Sequence, residues 1–492
     1  MKMILTMCCL LAAFFTFGND DLVIKNITII SPHLDSPQNN MNVHILDGRI
    51  SKISNRELGG LSSKVLNGSG KYLTPGLMDS HIHVSSIPGM GFGAEFYAQK
   101  NKNIVDEFYR QQPRSLLYHG VTQILDPNPG INWHKFVSAK QRPDYFRCEV
   151  ITSKRTFPYV EKKTKSSRKI YPYLIEESVP KNHPNSVETK IFEIAQAGAS
   201  CIKVYFEDGY GLSSIWPVLK AETLARIKRA SDSYKLPIIA HANAYNMQTL
   251  AVDAGVDVLA HGMWNWGSFR QKAELHLDIK KLLDKVIERK IGYMPTQRVI
   301  AGLGELMVLT QSELEKLNNI TPDSLINWYK SEDAMWFKNE MRVGFSGLED
   351  TVIARIFLEN RIKKGAKVLN YLSDRKSPIL LASDSPGSPS FANHPGLNTF
   401  MEMKEMVRAG LSLKEVLNSA TINNAKQFKL QDKYGTVEEN KIANLLVLER
   451  NPLTSIDAWN SIDSIILHGQ VIERTSLRAN TNQTEEFHSP SK

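Results

Sequence analysis

The chain has 492 residues, 60 Lys and Arg against 51 Asp and Glu for a formal net charge of +9, and a hydrophobic fraction of 42%. That length and apolar content suit a large domain with an accessory one and exclude a disordered or fibrous chain. The basic excess is spread along the sequence except for a cluster between Lys154 and Lys169, which reads as a solvated loop, and nothing resembles a nucleic-acid-binding module.

Lys2, the apolar run over residues 3–17 and the small Gly18 predict a signal peptide over 1–18, with the mature chain starting near Asn19. The run is too short to span a bilayer comfortably, so an exported protein (periplasmic or secreted) is expected, with no stable membrane anchor after cleavage. Residues 19–75 contain LVIKNITII and MNVHILDGRISKI, which read as short strands separated by turns. A different pattern begins near residue 76. Apolar runs over 77–83, 121–126, 146–152, 201–206, 237–242, 258–263, 292–297 and 378–384 alternate with helical periodicity, for example over 221–235 and 247–255. Most are rich in Val, Ile and Leu, as strands buried on both faces are. Eight such units over 76–433 predict a (β/α)8 TIM barrel. Residues 434–475 return to short strands, as in ANLLVLER and IDSIILHGQVIER, and the polar residues 476–492 read as a disordered tail. Long insertions follow the first and seventh barrel strands and carry aromatics, among them Tyr97, Phe108, Trp328 and Trp336. At that face such loops commonly shape a pocket, although most of these rings are expected only to pack the insertions. Cys148 and Cys201, the cysteines left after cleavage, lie in predicted strands and read by default as buried free thiols; an export route permits a disulfide, but sequence alone does not establish that they meet.

Five of the runs end in metal-ligand chemistry. They carry His81 and His83 (PGLMDSHIHV), Lys203 (CIKVYF), His241 (PIIAHA), His261 (VLAHGM) and Asp384 (PILLASDS). In a strand, residues two apart face one side, so His81 and His83 can chelate one ion while Ile82 faces the covering helices. Barrel active sites sit at the C-terminal strand ends, where these residues fall. Four imidazoles, an amine and a carboxylate suit borderline divalent metals.

These motifs, with HGVTQILD, GASCIKVYFEDG, IIAHANAYNMQTLAVDAGVDVLAHG, LLASDSPG and the C-terminal SATINNAKQFKLQDKYGTVEENKIANLLVLERNPL, resemble the amidohydrolase superfamily over residues 22–475. The nearest branches are the imidazolonepropionase-like and prolidase-like hydrolases. One departure is Asn440 to Asn444, where relatives usually have Gly-Lys-x-Ala-Asp. The resemblance implies that the two flanks pair into one small β-sandwich beside the barrel. It also implies two divalent ions, most simply zinc. His81, His83 and Asp384 would bind the more buried ion, His241 and His261 the other, and Lys203, carboxylated by carbon dioxide, would bridge them. A buried Lys loses its proton readily, and the neutral amine can add carbon dioxide. The alternative is an unmodified Lys203 paired with Glu207 or Asp208.

The reaction implied is cleavage of a carbon–nitrogen bond by a metal-bound hydroxide, with Asp384 passing a proton to the leaving nitrogen. Deaminases of the superfamily commonly place a Glu three residues after a strand-end His, and the residues here are Ala244 and Trp264. Dipeptides or N-acyl amino acids are the expected small-molecule substrates, with Tyr245 and Arg298 as candidates for holding their carboxylate. Two alternatives stand beside this reading, a mononuclear cyclic-amide hydrolase and a non-catalytic binding protein. Self-association into a homo-oligomer is left open.

Overall fold

A computed structural model describes residues 21–60, 63–91, 96–159, 170–209 and 214–480. The expected signal peptide, most of the basic cluster and residues 481–492 of the expected tail lie outside the described residues. Seven parallel strands neighbour one another in chain order: Leu77–Asp79, Val121–Asp126, Asp144–Ser153, Cys201–Tyr205, Ile238–His241, Val258–Ala260 and Gly292–Met294. Helices such as Ala221–Ser233 and Leu277–Glu288 return the chain between them and bury one apolar face each.

The eighth strand expected over 378–384 is an extended segment that closes the ring through single parallel bridges, Tyr293 with Ile379 and Ile82 with Ser385. A side chain supplies the missing ladder bonds. The buried Asp79 carboxylate accepts the N–H of Ser383 (3.0 Å), the N–H of His81 (3.1 Å) and the Thr399 hydroxyl (2.6 Å), so the first and last segments are joined through one carboxylate. Burial raises its pKa to about 6 despite those bonds.

Met78, Leu125, Ile239, Val258, Met294 and Leu380 form one buried cluster with Cys148 and Cys201. The two cysteines are bonded to each other, which decides against the default of free thiols in favour of the disulfide that export permits. They are direct partners in the register of adjacent parallel strands, with Cα atoms 4.3 Å apart. That neighbourhood depends on strand order, which their separation of 53 residues does not reveal.

The flanks build a second sheet. Tyr72–Pro75 pairs in parallel with Leu22–Ile29 and antiparallel with Leu445–Leu448, so the N- and C-terminal segments share one accessory β-sandwich domain. Asp144 ties it to the barrel, accepting bonds from Tyr434 and Asn444 and pairing with His468 at 2.8 Å. The departure at 440–444 is explained here. Asn440 has φ +72°, in the left-handed region that Gly favours and Asn tolerates. Asn444 donates to Asp144 at 2.8 Å, where a carboxylate would be repelled. The expected tail begins later than residue 476. Leu477 is fully buried, and the N–H of Ala479 donates to the Asn319 carbonyl. The two insertions pack on each other: the Trp336 indole donates to the Gly89 carbonyl (2.8 Å) and stacks on Tyr97. Among the described residues, no helix is long and apolar enough to cross a membrane.

Candidate metal centre

Strand geometry brings the six expected residues to one end of the barrel. Lys203 lies two residues beyond Cys201 and therefore faces the same side of its strand. His241 is the last residue of the fifth strand, and His261 follows the sixth directly. His81 and His83 lie past the first strand, in a segment held by the Ile82–Ser385 bridge. Asp384 has φ +52°, an unfavourable conformation for a non-glycine residue. The chain can fold round it because residue 387 is Gly: a Cβ there would lie 2.2 Å from Asp384 Oδ1.

Nitrogen and oxygen atoms converge. Asp384 Oδ1 lies 3.1 Å from His83 Nε2 and 3.4 Å from His81 Nε2, and Oδ2 lies 3.3 Å from His261 Nδ1. His261 Nε2 is 3.0 Å from His241 Nδ1. One ligand atom from each of His81, His261 and Asp384 falls within a 4.8 Å span.

The hydrogen bonds behind the rings select their tautomers. His241 Nε2 donates to Glu207 (3.2 Å), which leaves a lone pair on Nδ1. His261 Nδ1 lies 3.1 Å from the Thr296 hydroxyl and 3.3 Å from Asp384 Oδ2, so it can carry the ring proton and leave Nε2 bare. Nε2 faces His241 Nδ1 at 3.0 Å, and the two nitrogens can share a proton or turn their lone pairs to one cation. Burial drives the pKa of His81 and of His261 well below the ordinary value, so both rings are neutral and able to ligate. His81 Nδ1 has no hydrogen-bond partner among the described residues. These features fit a divalent metal site.

Lys203 is 1% exposed and its Nζ has no hydrogen-bond partner among the described residues. Its neighbours in register are Ile239 and Val150. Burial lowers its pKa to about 7, against a smaller opposing pull from Asp384. Such an amine is about half neutral near pH 7, and its neutral form is nucleophilic. The alternative pairing with Glu207 or Asp208 is not made. Glu207 turns to His241, Asn243 and the N–H of Gly209, and Asp208 accepts from Ser214.

Neither substrate-binding candidate is presented as expected. Arg298 is buried and spends its guanidinium on Glu305 and the Ala392 carbonyl, so the proposed carboxylate clamp is already occupied from within the fold. Tyr245 opens a helix, and its half-buried ring packs edge-on against Phe269 at the margin of the apolar core. Sequence reading also missed Glu207 as the partner that orients His241. The only signal was its place two residues beyond the fourth strand, where an acidic side chain usually means a solvated turn.

A family model, the amidohydrolase family, matches residues 217–472, just over half the chain. The chain belongs to the amidohydrolase family. An imidazolonepropionase of Christiangramia forsetii is 30% identical over 104 residues, covering 20% of this chain and 24% of that protein. An allantoinase of Bacillus licheniformis is 35% identical over 108 residues, 22% of this chain and 20% of that protein. The chain therefore matches a quarter or less of either curated relative. A Xaa-Pro dipeptidase with methionine bound in its active site superposes with a TM-score of 0.62 at 19% identity, over 92% of this chain and all of that one. That likeness carries the whole amidohydrolase fold, barrel and flanking sandwich together.

Proposed function

We propose that this amidohydrolase cleaves the carbon–nitrogen bond of a small amide, dipeptide-like or N-acyl amino acid-like, at a centre of two divalent ions, most simply zinc. The observation that carries the reading is Lys203, a dry amine with no hydrogen-bond partner among the described residues, set among converging imidazoles with a pKa drawn down to about 7. Its neutral nitrogen would add carbon dioxide and release a proton, giving a carbamate that replaces a buried positive charge with a two-oxygen anion. His81, His83 and Asp384 would hold one ion, His241 and His261 the other, with Lys203 between them. Bound ions would polarise the scissile carbonyl and make water acidic enough to attack at neutral pH.

The chain's own residues do the rest. Glu207 holds His241 in one tautomer, Thr296 supports His261, and Asp384 Oδ2 can hold a proton while Oδ1 stays with His81 and His83. Burial of all these groups except the half-exposed His241 excludes bulk water from the reacting bond. A second reading, a single-ion cyclic-amide hydrolase, is favoured by the tight grouping of His81, His261 and Asp384 alone.

Elemental analysis of protein purified without chelators, followed by a panel of dipeptides, N-acyl amino acids and cyclic amides, tests both. About two ions per chain with linear-amide cleavage is expected. One ion with only cyclic amides cleaved replaces the first reading by the second. We also propose export, which N-terminal sequencing of the native protein tests: a mature start near Asn19 is expected, and an intact Met1 refutes it.

A further inference from the structure

Cations that lie far apart in the sequence are gathered by the fold. The loop 266–274, which follows the sixth strand, brings Arg270 and Lys272. Residues 352–367, beyond the seventh strand, bring Arg355, Arg361, Lys363, Lys364 and Lys367. The two segments hold seven Lys and Arg against Glu274 and Glu359, so +5 of the formal +9 lies on 25 residues that meet in space.

A change of helical pitch aligns them. Helix Asp350–Arg355 passes through a π-helical turn, Ile356–Arg361, into helix Ile362–Asp374. In a regular α-helix, residues four apart drift by about 40° per step, so a stripe at that spacing spirals away. A π turn holds more residues per turn and reverses the drift over its length. Arg355, Glu359, Lys363 and Lys367 therefore keep to one face. With Lys364 and Lys272 they line one open groove of about 510 Å³.

Cations left to solvent swing apart, but two of these are tethered. Lys364 Nζ donates to the Arg270 carbonyl at 2.8 Å, and Lys367 Nζ donates to the Ala273 carbonyl at 2.6 Å. Both bonds tie helix to loop and hold ammonium groups at the groove wall. Burial first, and then the charges of Arg361 and Arg270, lower the Lys364 pKa. Lys367 also pairs with Glu274. Among the described residues, Lys272, Arg355 and Lys363 have no carboxylate within ion-pair distance, and Glu359 is the single acid of the lining. Like charges held together oppose the fold unless an anion compensates them.

We infer that this groove binds a compact anion carrying two phosphate groups, at a site that shares no residue with the metal centre. Five lining cations and one carboxylate leave a positive charge that two phosphomonoesters, each about −1.5 to −2 at pH 7, match. The lysines are point donors to phosphate oxygens, and Arg355 offers a forked one. A singly charged carboxylate would leave most of the charge uncompensated. A soluble bisphosphate and two neighbouring headgroups of an anionic bilayer present the same chemistry.

Two assays on the metal-loaded protein separate these sources. Fructose 1,6-bisphosphate is titrated calorimetrically at low and at physiological ionic strength. Co-sedimentation is measured with vesicles of phosphatidylcholine alone and of three parts phosphatidylcholine to one part phosphatidylglycerol. Each is repeated with Arg355→Gln/Lys363→Gln, whose side chains are exposed, and with Arg56→Gln/Lys433→Gln, which removes the same charge elsewhere on the surface. Wild type should bind one bisphosphate per chain, more weakly at the higher ionic strength. The groove variant should weaken that binding at least about tenfold and the control variant less than about twofold. Lys272→Gln is the second variant should the groove pair fail to fold. Bisphosphate binding without vesicle binding assigns the site to a soluble ligand. Sedimentation only with the anionic vesicles, lost in the groove variant, assigns it to a lipid headgroup. Binding of neither probe, or binding that the groove variant weakens no more than the control does, overturns the site. The second of these outcomes would include a bisphosphate held by the metal centre.

Discussion

Replacing Lys203 by Met separates the two consequences of a buried amine. Burial lowers its pKa from 10.5 to about 7. A Lys whose folded pKa lies below its unfolded one gives full stability above the unfolded value and loses it as pH falls toward the folded value. At 1.36 kcal/mol per unit, the metal-free wild type at pH 7 has lost about 4 kcal/mol by this linkage, and at pH 9 about 2 kcal/mol. Methionine has similar length and no charge, so the substitution adds little packing strain. Metal-free Lys203→Met should therefore be more stable than metal-free wild type at pH 7, with the gap shrinking by about 2 kcal/mol at pH 9. Urea denaturation in excess chelator at the two pH values measures this. With metal supplied, the order reverses: the variant should bind fewer ions and lose activity, and the carbamate carbon signal seen by ¹³C NMR in labelled bicarbonate should vanish. A metal-free variant less stable than wild type at pH 7 would show that the amine has a structural partner, and the reasoning about a dry, modifiable lysine would be wrong.

Asp384→Asn keeps size and one ligand oxygen but removes the base, so kcat at saturating metal should fall at least about a hundredfold with the circular dichroism spectrum unchanged; near-normal turnover would place the proton elsewhere. Glu207→Gln should weaken metal binding about 10- to 100-fold in chelator competition, since the neutral amide orients His241 less firmly, and unchanged affinity would remove Glu207 from the centre. His394 is buried, and its pKa falls from 6.5 to about 3. A depressed His pKa gives stability that is present above 6.5 and lost as pH falls toward 3, at about 1.4 kcal/mol per pH unit in between. Denaturation curves from pH 6.5 to 4 should show that slope for wild type and a shallower one for His394→Gln, with parallel curves refuting the assignment.

The repeating unit and the residues that converge at the barrel mouth were legible in the sequence because each depends on short-range pattern. Strands buried on both faces must be apolar runs, and a ligand at a barrel's strand end must sit at the end of such a run. His81, His83, Lys203, His241, His261 and Asp384 could therefore be found without knowing how the strands are ordered. What they touch could not. The bond between Cys148 and Cys201 depends on the third and fourth strands being neighbours in register. The occupation of the Arg298 guanidinium depends on Glu305, about two helical turns away on the same helix, turning back to it. Glu207 became the partner of His241 only when the fourth and fifth strands paired, and Asp79 became the closure of the barrel only when the two ends of the ring met. Sequence determined which chemistry the barrel mouth holds, because ligand type and strand periodicity are local. Tertiary structure alone decided which of those groups are dry and which partners stand behind each ring. Burial, hydrogen-bond direction and access depend on residues far apart in the chain.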